Sequence, residues 1–301
     1  MKKNQGKIIV ILFLIFQLKS YSQGCSDAGF CTINSLKPNS EIAAKKNHLK
    51  LGMFTGSADN SVSVWGNYIE YHTQLSDQFS FDTKLTSLAQ DGNGYTSFGL
   101  GDLFLSSNYK LNPNWTVTVG TKIPMTNGNK KENGVSLPMD YQSSLGTLDA
   151  IVGLGYQINK LQFVLAWQQP LTQNKNQFLA ENSNTPTILK QFQSTNGFKR
   201  SGDVLFRVAY PLALTNDLQF TTSLLPIYHL DNDRYIDLSG KEKSIEGSKG
   251  LTLNGNVFLD YALNTTNSLQ LNIGMPLVVR DERPDGLTRG FIATLEYKFQ
   301  F

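Results

Sequence analysis

Three histidines, two cysteines and one short acidic run are the side chains here best suited to covalent or metal chemistry. His48, His72 and His229 could each serve as a general base, but hydrolysis also needs a nucleophile beside the base and a third group to orient it. On a strand, a serine two residues from a histidine would share its side. His72 is followed by Thr73 and Gln74, and His229 by Leu230 and Asp231, so neither has that serine. No catalytic residues are expected, and His229 is expected to be a solvated histidine at the rim of a loop. The run Asp231-Asn-Asp-Arg-Tyr-Ile-Asp237 is rich in acids, yet it lacks the central glycine and closing glutamate of a calcium loop. Neither a metal site nor a cofactor is expected.

The cysteines point to a compartment. Met1-Lys-Lys-Asn-Gln-Gly-Lys7 is basic, Ile8 to Phe16 is an unbroken apolar run, and Gln17 to Gln23 is polar. That layout is a secretory signal, with cleavage expected close to Gln23/Gly24, and the run is too short to span a bilayer comfortably. Cys25 and Cys31 follow at once. Two nearby cysteines in an exported chain most simply pair in an oxidising compartment. An acylated Cys25, free thiols, and a metal or redox role remain alternatives, although two thiols without a neighbouring histidine make a poor metal site. The formal charge of +3 belongs to the precursor. Loss of residues 1–23 removes four lysines and no acid, leaving 23 basic residues against 24 acidic, net −1. Charge therefore gives no case for a nucleic-acid partner.

Stepping along the mature chain, no apolar run is long enough for a transmembrane helix. Alternation is the dominant pattern instead. In the last segment Phe291, Ala293, Leu295, Tyr297, Phe299 and Phe301 share one face, and Ile292, Thr294, Glu296, Lys298 and Gln300 share the other. An aromatic face with no further chain to cover it is expected to meet lipid. About twelve such segments follow residue 48, near 48–57, 61–75, 78–89, 95–111, 114–126, 144–158, 160–171, 200–213, 217–230, 250–263, 267–281 and 290–301, each about the length of a tilted membrane strand. Every second connection is tight, at Ser76-Asp77, Asn112-Pro113, Asn159, Thr215-Asn216 and 264–267. Those between are longer, at 90–94, 127–143, 172–199, 231–249 and 281–289, with 58–60 a short exception. The expected fold is all-β: a transmembrane antiparallel β-barrel with short periplasmic turns and longer extracellular loops. The expected division is a signal peptide over 1–23, a periplasmic segment with the cysteine pair over 24–47, and the barrel over 48–301. Trp65, Tyr109, Trp115, Tyr156, Trp167, Tyr210, Tyr261 and Tyr297 fall near strand ends, where aromatic rings settle at lipid headgroups.

In this register the lumen receives Glu70, His72, Asp82, Lys84, Lys122, Asp149, Asp203, Arg207, Asp260, Glu296 and Lys298. They are candidates either for a solute pathway or for acid–base pairs that fill a narrow barrel. Asp102, in Gly99-Leu-Gly-Asp-Leu-Phe-Leu, breaks the register, and the glycines there suggest a bulge. Residues 24–47 show little alternation and read as a lead-in that could fold back into the barrel mouth. The loop 172–199, rich in Asn and Gln, reads as a surface loop.

The stretch Phe98-Gly-Leu-Gly-Asp-Leu-Phe-Leu-Ser-Ser-Asn-Tyr-Lys-Leu111, with Trp115-Thr-Val-Thr-Val-Gly-Thr-Lys-Ile-Pro124, resembles the transporter-type barrels of the MetA pathway of phenol degradation family. Gly99, Gly101, Asp102, Leu103, Tyr109, Lys110, Gly120, Lys122 and Pro124 carry the likeness, which covers about 30 residues. The resemblance implies an outer-membrane barrel that takes up small, often hydrophobic molecules, and it supplies no catalytic residues. The chain departs from it in the cysteine-bearing N-terminal segment and in Met125-Thr-Asn-Gly after Pro124.

The expected function is passive passage of small solutes across the outer membrane of a Gram-negative-type bacterium. A structural or surface-interaction barrel working through its loops is the alternative, and a lipid-active enzyme is a lesser one. The expected partners are outer-membrane lipid, the small-molecule solute and the barrel assembly machinery, for which Tyr297, Phe299 and Phe301 form the expected signal.

Overall fold

Alternation decides the architecture. The computed structural model describes residues 33–38, 46–286 and 290–301. The signal peptide and the Cys25/Cys31 pair lie outside the described residues. Twelve strands form one closed antiparallel barrel in sequence order. They are β1 Asn47–Ser57, β2 Ser63–Gln74, β3 Phe79–Gly92, β4 Tyr95–Lys110, β5 Trp115–Pro124 and β6 Asp149–Ile158. The second half comprises β7 Leu161–Pro170, β8 Asp203–Ala213, β9 Leu218–His229, β10 Gly250–Ala262, β11 Asn267–Val278 and β12 Ile292–Gln300. The seam closes between β1 and β12, from His48 opposite Gln300 to Gly56 opposite Ile292. Two short hairpins, 131–136 and 234–244, decorate the loops.

Closure satisfies every wall strand on both edges, the condition for spanning lipid with strands. The outer face is the apolar one: Met53, Trp65, Phe98, Val119, Leu165, Leu277, Leu295 and Phe301 point out and are exposed. At the short-turn end an aromatic row runs along this face, Trp115 on Tyr156 at 4.4 Å, Tyr156 on Phe163 at 6.3 Å and Phe163 on Phe206 at 6.4 Å. A closed barrel with an apolar exterior and an aromatic edge is an outer-membrane barrel.

The short turns are built by their polar side chains. The Asn112 carboxamide oxygen accepts the N–H groups of Asn114 and Trp115, at 2.9 and 3.0 Å, and Asn264 does the same for Thr266 and Asn267. On the other side, the connections 125–148, 171–202, 230–249 and 279–291 are long. The expected long connection at 90–94 is a correction. β3 and β4 run on to Gly92 and from Tyr95, and only Asn93-Gly94 turns. Both turn residues have positive φ, +53° and +79°, the backbone an Asn-Gly hairpin turn requires. The break at Asp102 is a bulge: the pairing of β3 with β4 shifts at Thr86, whose hydroxyl accepts the Asp102 N–H at 2.8 Å.

Candidate functional site

Inward positions carry the chemistry, and they divide into three levels. At the short-turn end is a polar vestibule of about 470 Å³, lined among others by His48, His72, Gln78, Asn108, Gln270 and Lys298. Asp260 faces it, holding Gln270 at 2.7 Å. His48 and His72, opposite each other on β1 and β2, stack with ring centres 4.5 Å apart.

Above the vestibule lies a cross-braced charge network. Lys50 reaches Glu70 at 3.1 Å and Glu296 at 3.3 Å, and the Tyr68 hydroxyl donates to Glu296 at 2.5 Å. Lys84 stands 4.0 Å from Glu70 and 3.8 Å over the Tyr68 ring, so the cation is met by a carboxylate and a π face. Asp82 accepts from Asn108 at 2.6 Å and faces His72 Nδ1 at 2.7 Å.

Residues 33–38 thread into this level and stop it up. The Asn34 carboxamide donates to Asp82 at 3.0 Å and accepts from Lys50 at 2.7 Å, while Lys37 pairs with Glu296 at 3.0 Å. Burial alone would lower the Lys37 ammonium, but the Glu296 and Glu70 carboxylates outweigh it and hold it above its ordinary value. Ile33 and Leu36 insert into an apolar girdle made by Phe104, Ile151, Val164, Ala166, Leu205, Leu225 and Ile227, all buried. The Leu36 carbonyl accepts from Arg207 at 2.5 Å. Gly153 makes room, since a Cβ there would stand 2.8 Å from a Leu36 methyl. The girdle adds an apolar level to the charged lumen expected from the sequence. Its residues occupy the inward register but are apolar because the plug, not water, covers them.

The outer mouth is closed by loops. Residues 125–148 turn inward: Gln90 donates to the Gln142 carbonyl at 2.8 Å, Ser97 to the Tyr141 carbonyl at 2.7 Å, and Ser144 to Asp102 at 2.5 Å. Leu137 and Tyr141 pack there with Phe178, Leu189 and Phe192 of 171–202, and Met139 and Leu145 pack with Phe198 and Ile245. The loop 172–199 is thus half of a small apolar core and not simply a solvated surface segment. Buried ion pairs seal the wall beneath. Lys122 meets Asp149 at 2.8 Å, and Asp149 also accepts from Gln168. Arg200 meets Asp203 at 2.6 Å, and Arg280 stands 3.4 Å from Asp285.

His229 belongs to this seal, against the expectation of a solvated rim histidine. It is fully buried, with Nδ1 2.7 Å from Asp203 and Nε2 2.8 Å from Asp233. The acidic run folds for the same purpose: Asp233 anchors Ser201, and Asp237 turns the 234–244 hairpin. Sequence reasoning placed eleven charged or histidine side chains in the lumen. The structure brings Glu70, His72, Asp82, Lys84 and Glu296 together around the plug, places Lys122, Asp149 and Asp203 in the outer seal, and leaves Asp260 and Lys298 at the vestibule. Arg207 stands apart at the girdle. What sequence reasoning missed was Asn34, Leu36 and Lys37, which lie in a segment without alternation, and Tyr68, an aromatic on a polar face.

No protein-family model matches the chain, and no curated protein matches it in sequence. Solved structures do match. The COG4313 outer membrane channel from Pseudomonas putida F1 aligns with a TM-score of 0.58 at 12% identity, covering 88% of this chain and 99% of that one. The barrel fold is shared. The NanC porin gives a TM-score of 0.47 at 11% identity over 85% and 100% of the two chains, and the CymD monoaromatic hydrocarbon channel 0.44 at 8% over 94% of each.

Proposed function

We propose that this protein is an outer-membrane channel for passive passage of small solutes, closed in this conformation by its own N-terminal segment and outer loops. One observation carries the reading. The lumen is obstructed by pieces added to the wall, residues 33–38 from below and 125–148 from above, while the strands leave a polar vestibule of about 470 Å³. A barrel stabilised by its interior would fill that space from the strands themselves. The fold's likeness to an outer membrane channel agrees with this role. The likeness of Gly99-to-Pro124 to the MetA-type transporters supports small, partly hydrophobic solutes. No energy source is visible in the sequence, so passage is diffusive.

On this reading the chain is exported by a cleaved signal, and Glu70, His72, Asp82, Lys84, Glu296 and Lys298 shape the pathway once the plug leaves. The partners are outer-membrane lipid, the solute and the barrel assembly machinery, with Tyr297, Phe299 and Phe301 on the lipid face of the closing strand. His229 is buried with both ring nitrogens against aspartates, which supports structural over catalytic duty there. Proteoliposome swelling with solutes of graded size tests the proposal: influx of the smallest ones is expected, and liposomes that never swell for any solute would sink it.

A second reading draws on the outer loops, whose buried apolar core makes them a rigid surface suited to a partner. Deleting 172–199 separates the two. A channel keeps or gains permeability, and an interaction barrel loses its partner.

A further inference from the structure

Three neighbouring strands, β9, β10 and β11, carry inward polar side chains whose hydrogen-bonding capacity the protein leaves unused. Ser223 stands opposite Asn256, which in turn stands opposite Gly274. One step toward the outer mouth Asn254 pairs with Leu225, and the next pairs Thr252 with Ile227. One step toward the vestibule Asn272 pairs with Phe258. The hydroxyls of Ser223 and Thr252 and the Oδ1 atoms of Asn254, Asn256 and Asn272 are buried with no hydrogen-bond partner among the described residues. Ser223, Thr252, Asn254 and Asn256 are each at most 5% exposed. A buried polar atom without a partner forfeits the bond it would make in water, so a run of them on one stripe calls for a reason beyond packing. The wall is shaped for the stripe: a Cβ at Gly274 would stand 2.5 Å from Asn256 Nδ2, so the carboxamide lies across the glycine. Asn254 Nδ2 donates to the Leu225 carbonyl at 3.4 Å, which leaves its oxygen to accept. The foot of the stripe reaches the vestibule at Gln270, and its head stops below His229.

We propose that this ladder of amides and hydroxyls is a binding track for small uncharged polyols, which pass along it by exchanging hydrogen bonds from rung to rung. This rests on the channel reading and names its substrate class. The chemistry selects on two counts. The rungs carry no charge, so an ion would shed water there without meeting a counter-charge, while a neutral hydroxyl exchanges one hydrogen bond for another. Carboxamide oxygens only accept, so the solute must donate. Successive inward side chains on a strand lie about 6.8 Å apart, so a solute with hydroxyls on several carbons can hold one rung while it reaches the next. Leu225 and Phe258, the buried register partners of Asn254 and Asn272, offer carbon surface to the C–H groups of the same solute. The plug governs access. Leu36 packs in one cluster with Leu225 and Ile227, the partners of Asn254 and Thr252, so its departure bares the lumen beside those rungs.

The test uses the full mature chain with Leu36→Ala, which loosens the plug, reconstituted in liposomes. Its probes are erythritol and glycine betaine, a solute of similar size that carries charges and has no hydrogen-bond donor. Erythritol should enter at least about tenfold faster, the ratio expected for one to two net hydrogen bonds. Adding Asn254→Leu, Asn256→Leu and Asn272→Leu keeps the side-chain volumes and removes the rungs, and should bring the two rates within about threefold of each other. Should that barrel not refold, Asn256→Leu alone should lower the preference about fivefold. Equal rates without the leucine substitutions overturn the proposal, and so does a preference that survives them. Saturation-transfer NMR of erythritol on the same chains in detergent needs no passage and keeps the two ideas apart. Transfer that the leucine substitutions abolish, with neither solute entering liposomes, refutes the channel and leaves the site. Entry of both solutes at equal rates, without transfer, refutes the site and leaves the channel. Neither entry nor transfer refutes both.

Discussion

Leu36→Ala is the perturbation that bears most directly on the plug. The side chain is 1% exposed, and its methyls sit over Gly153 and against the girdle. Removing a buried leucine costs about 2–5 kcal/mol, with the upper end reached where surrounding atoms cannot collapse into the gap. The wall here is a hydrogen-bonded barrel that moves little, but the plug is short and can resettle, so about 3 kcal/mol is the working figure. Because the loss falls on the docked state and hardly on the undocked one, it appears as a shift in the docking equilibrium. At 1.4 kcal/mol per tenfold, the undocked fraction rises roughly 140-fold, and between about 30- and 700-fold over about 2–4 kcal/mol. Ala166, 2% exposed and part of the girdle, is the place to read it. With Ala166→Cys in a chain lacking Cys25 and Cys31, a water-soluble maleimide reaches the lumen only when the plug is out. Labelling then accelerates by that factor. Leu36→Met, which conserves volume, should change the rate by no more than about tenfold. A Leu36→Ala rate within about threefold of the native one would refute the claim that this side chain holds the plug.

Lys122→Met leaves Asp149 buried without its cation and should destabilise the barrel by about 3–5 kcal/mol, whereas Lys122→Met with Asp149→Leu should recover most of it; urea titration in lipid measures both. Phe301 is half exposed and stacks on Phe299 at 5.7 Å and Tyr71 at 6.4 Å, so Phe301→Ala should cost the refolded barrel about 1 kcal/mol yet lower its level in the outer membrane; normal levels in cells would count against an assembly role. In the 234–244 hairpin, the Ser239 hydroxyl and the Lys241 and Ser239 amides hold the Asp237 carboxyl well below the usual range. A depressed carboxyl contributes stability that is present above its unfolded value and is lost only as pH falls through the folded one. The turn should therefore persist through the ordinary aspartate range, and Ser239→Ala should move the NMR titration midpoint of Asp237 upward. An unshifted midpoint in both chains would contradict this.

Much of the wall was legible in the sequence because a membrane strand must alternate and its turns must supply their own hydrogen bonds. The closing strand is the clearest instance, with Glu296 inward and Leu295 and Tyr297 outward as the alternation requires. At residues 90–94 polar side chains suggested a loop, but Gln90 is polar because it holds the lid, and Asn93-Gly94 alone makes the turn. His229 looked exposed because its acidic neighbours suggest solvent, whereas they are its hydrogen-bond partners. The girdle was hidden for a deeper reason. Leu205 and Ile227 sit on the inward register, but alternation says only which face a residue takes, not what covers that face. The cover comes from Leu36, in a stretch with no periodicity, more than a hundred residues away along the chain.

Single-channel recording in planar bilayers tests the channel most directly, using the native chain, Leu36→Ala, and Leu36→Ala with Gln142→Ala. Gln142 ties the lid to itself through Lys130 and Leu137, at 2.7 and 2.9 Å, so its loss loosens the second closure. A gated channel gives discrete conductance steps whose open fraction rises along that series. A barrel that stays silent in all three, while maleimide labelling shows the plug displaced, contradicts a channel.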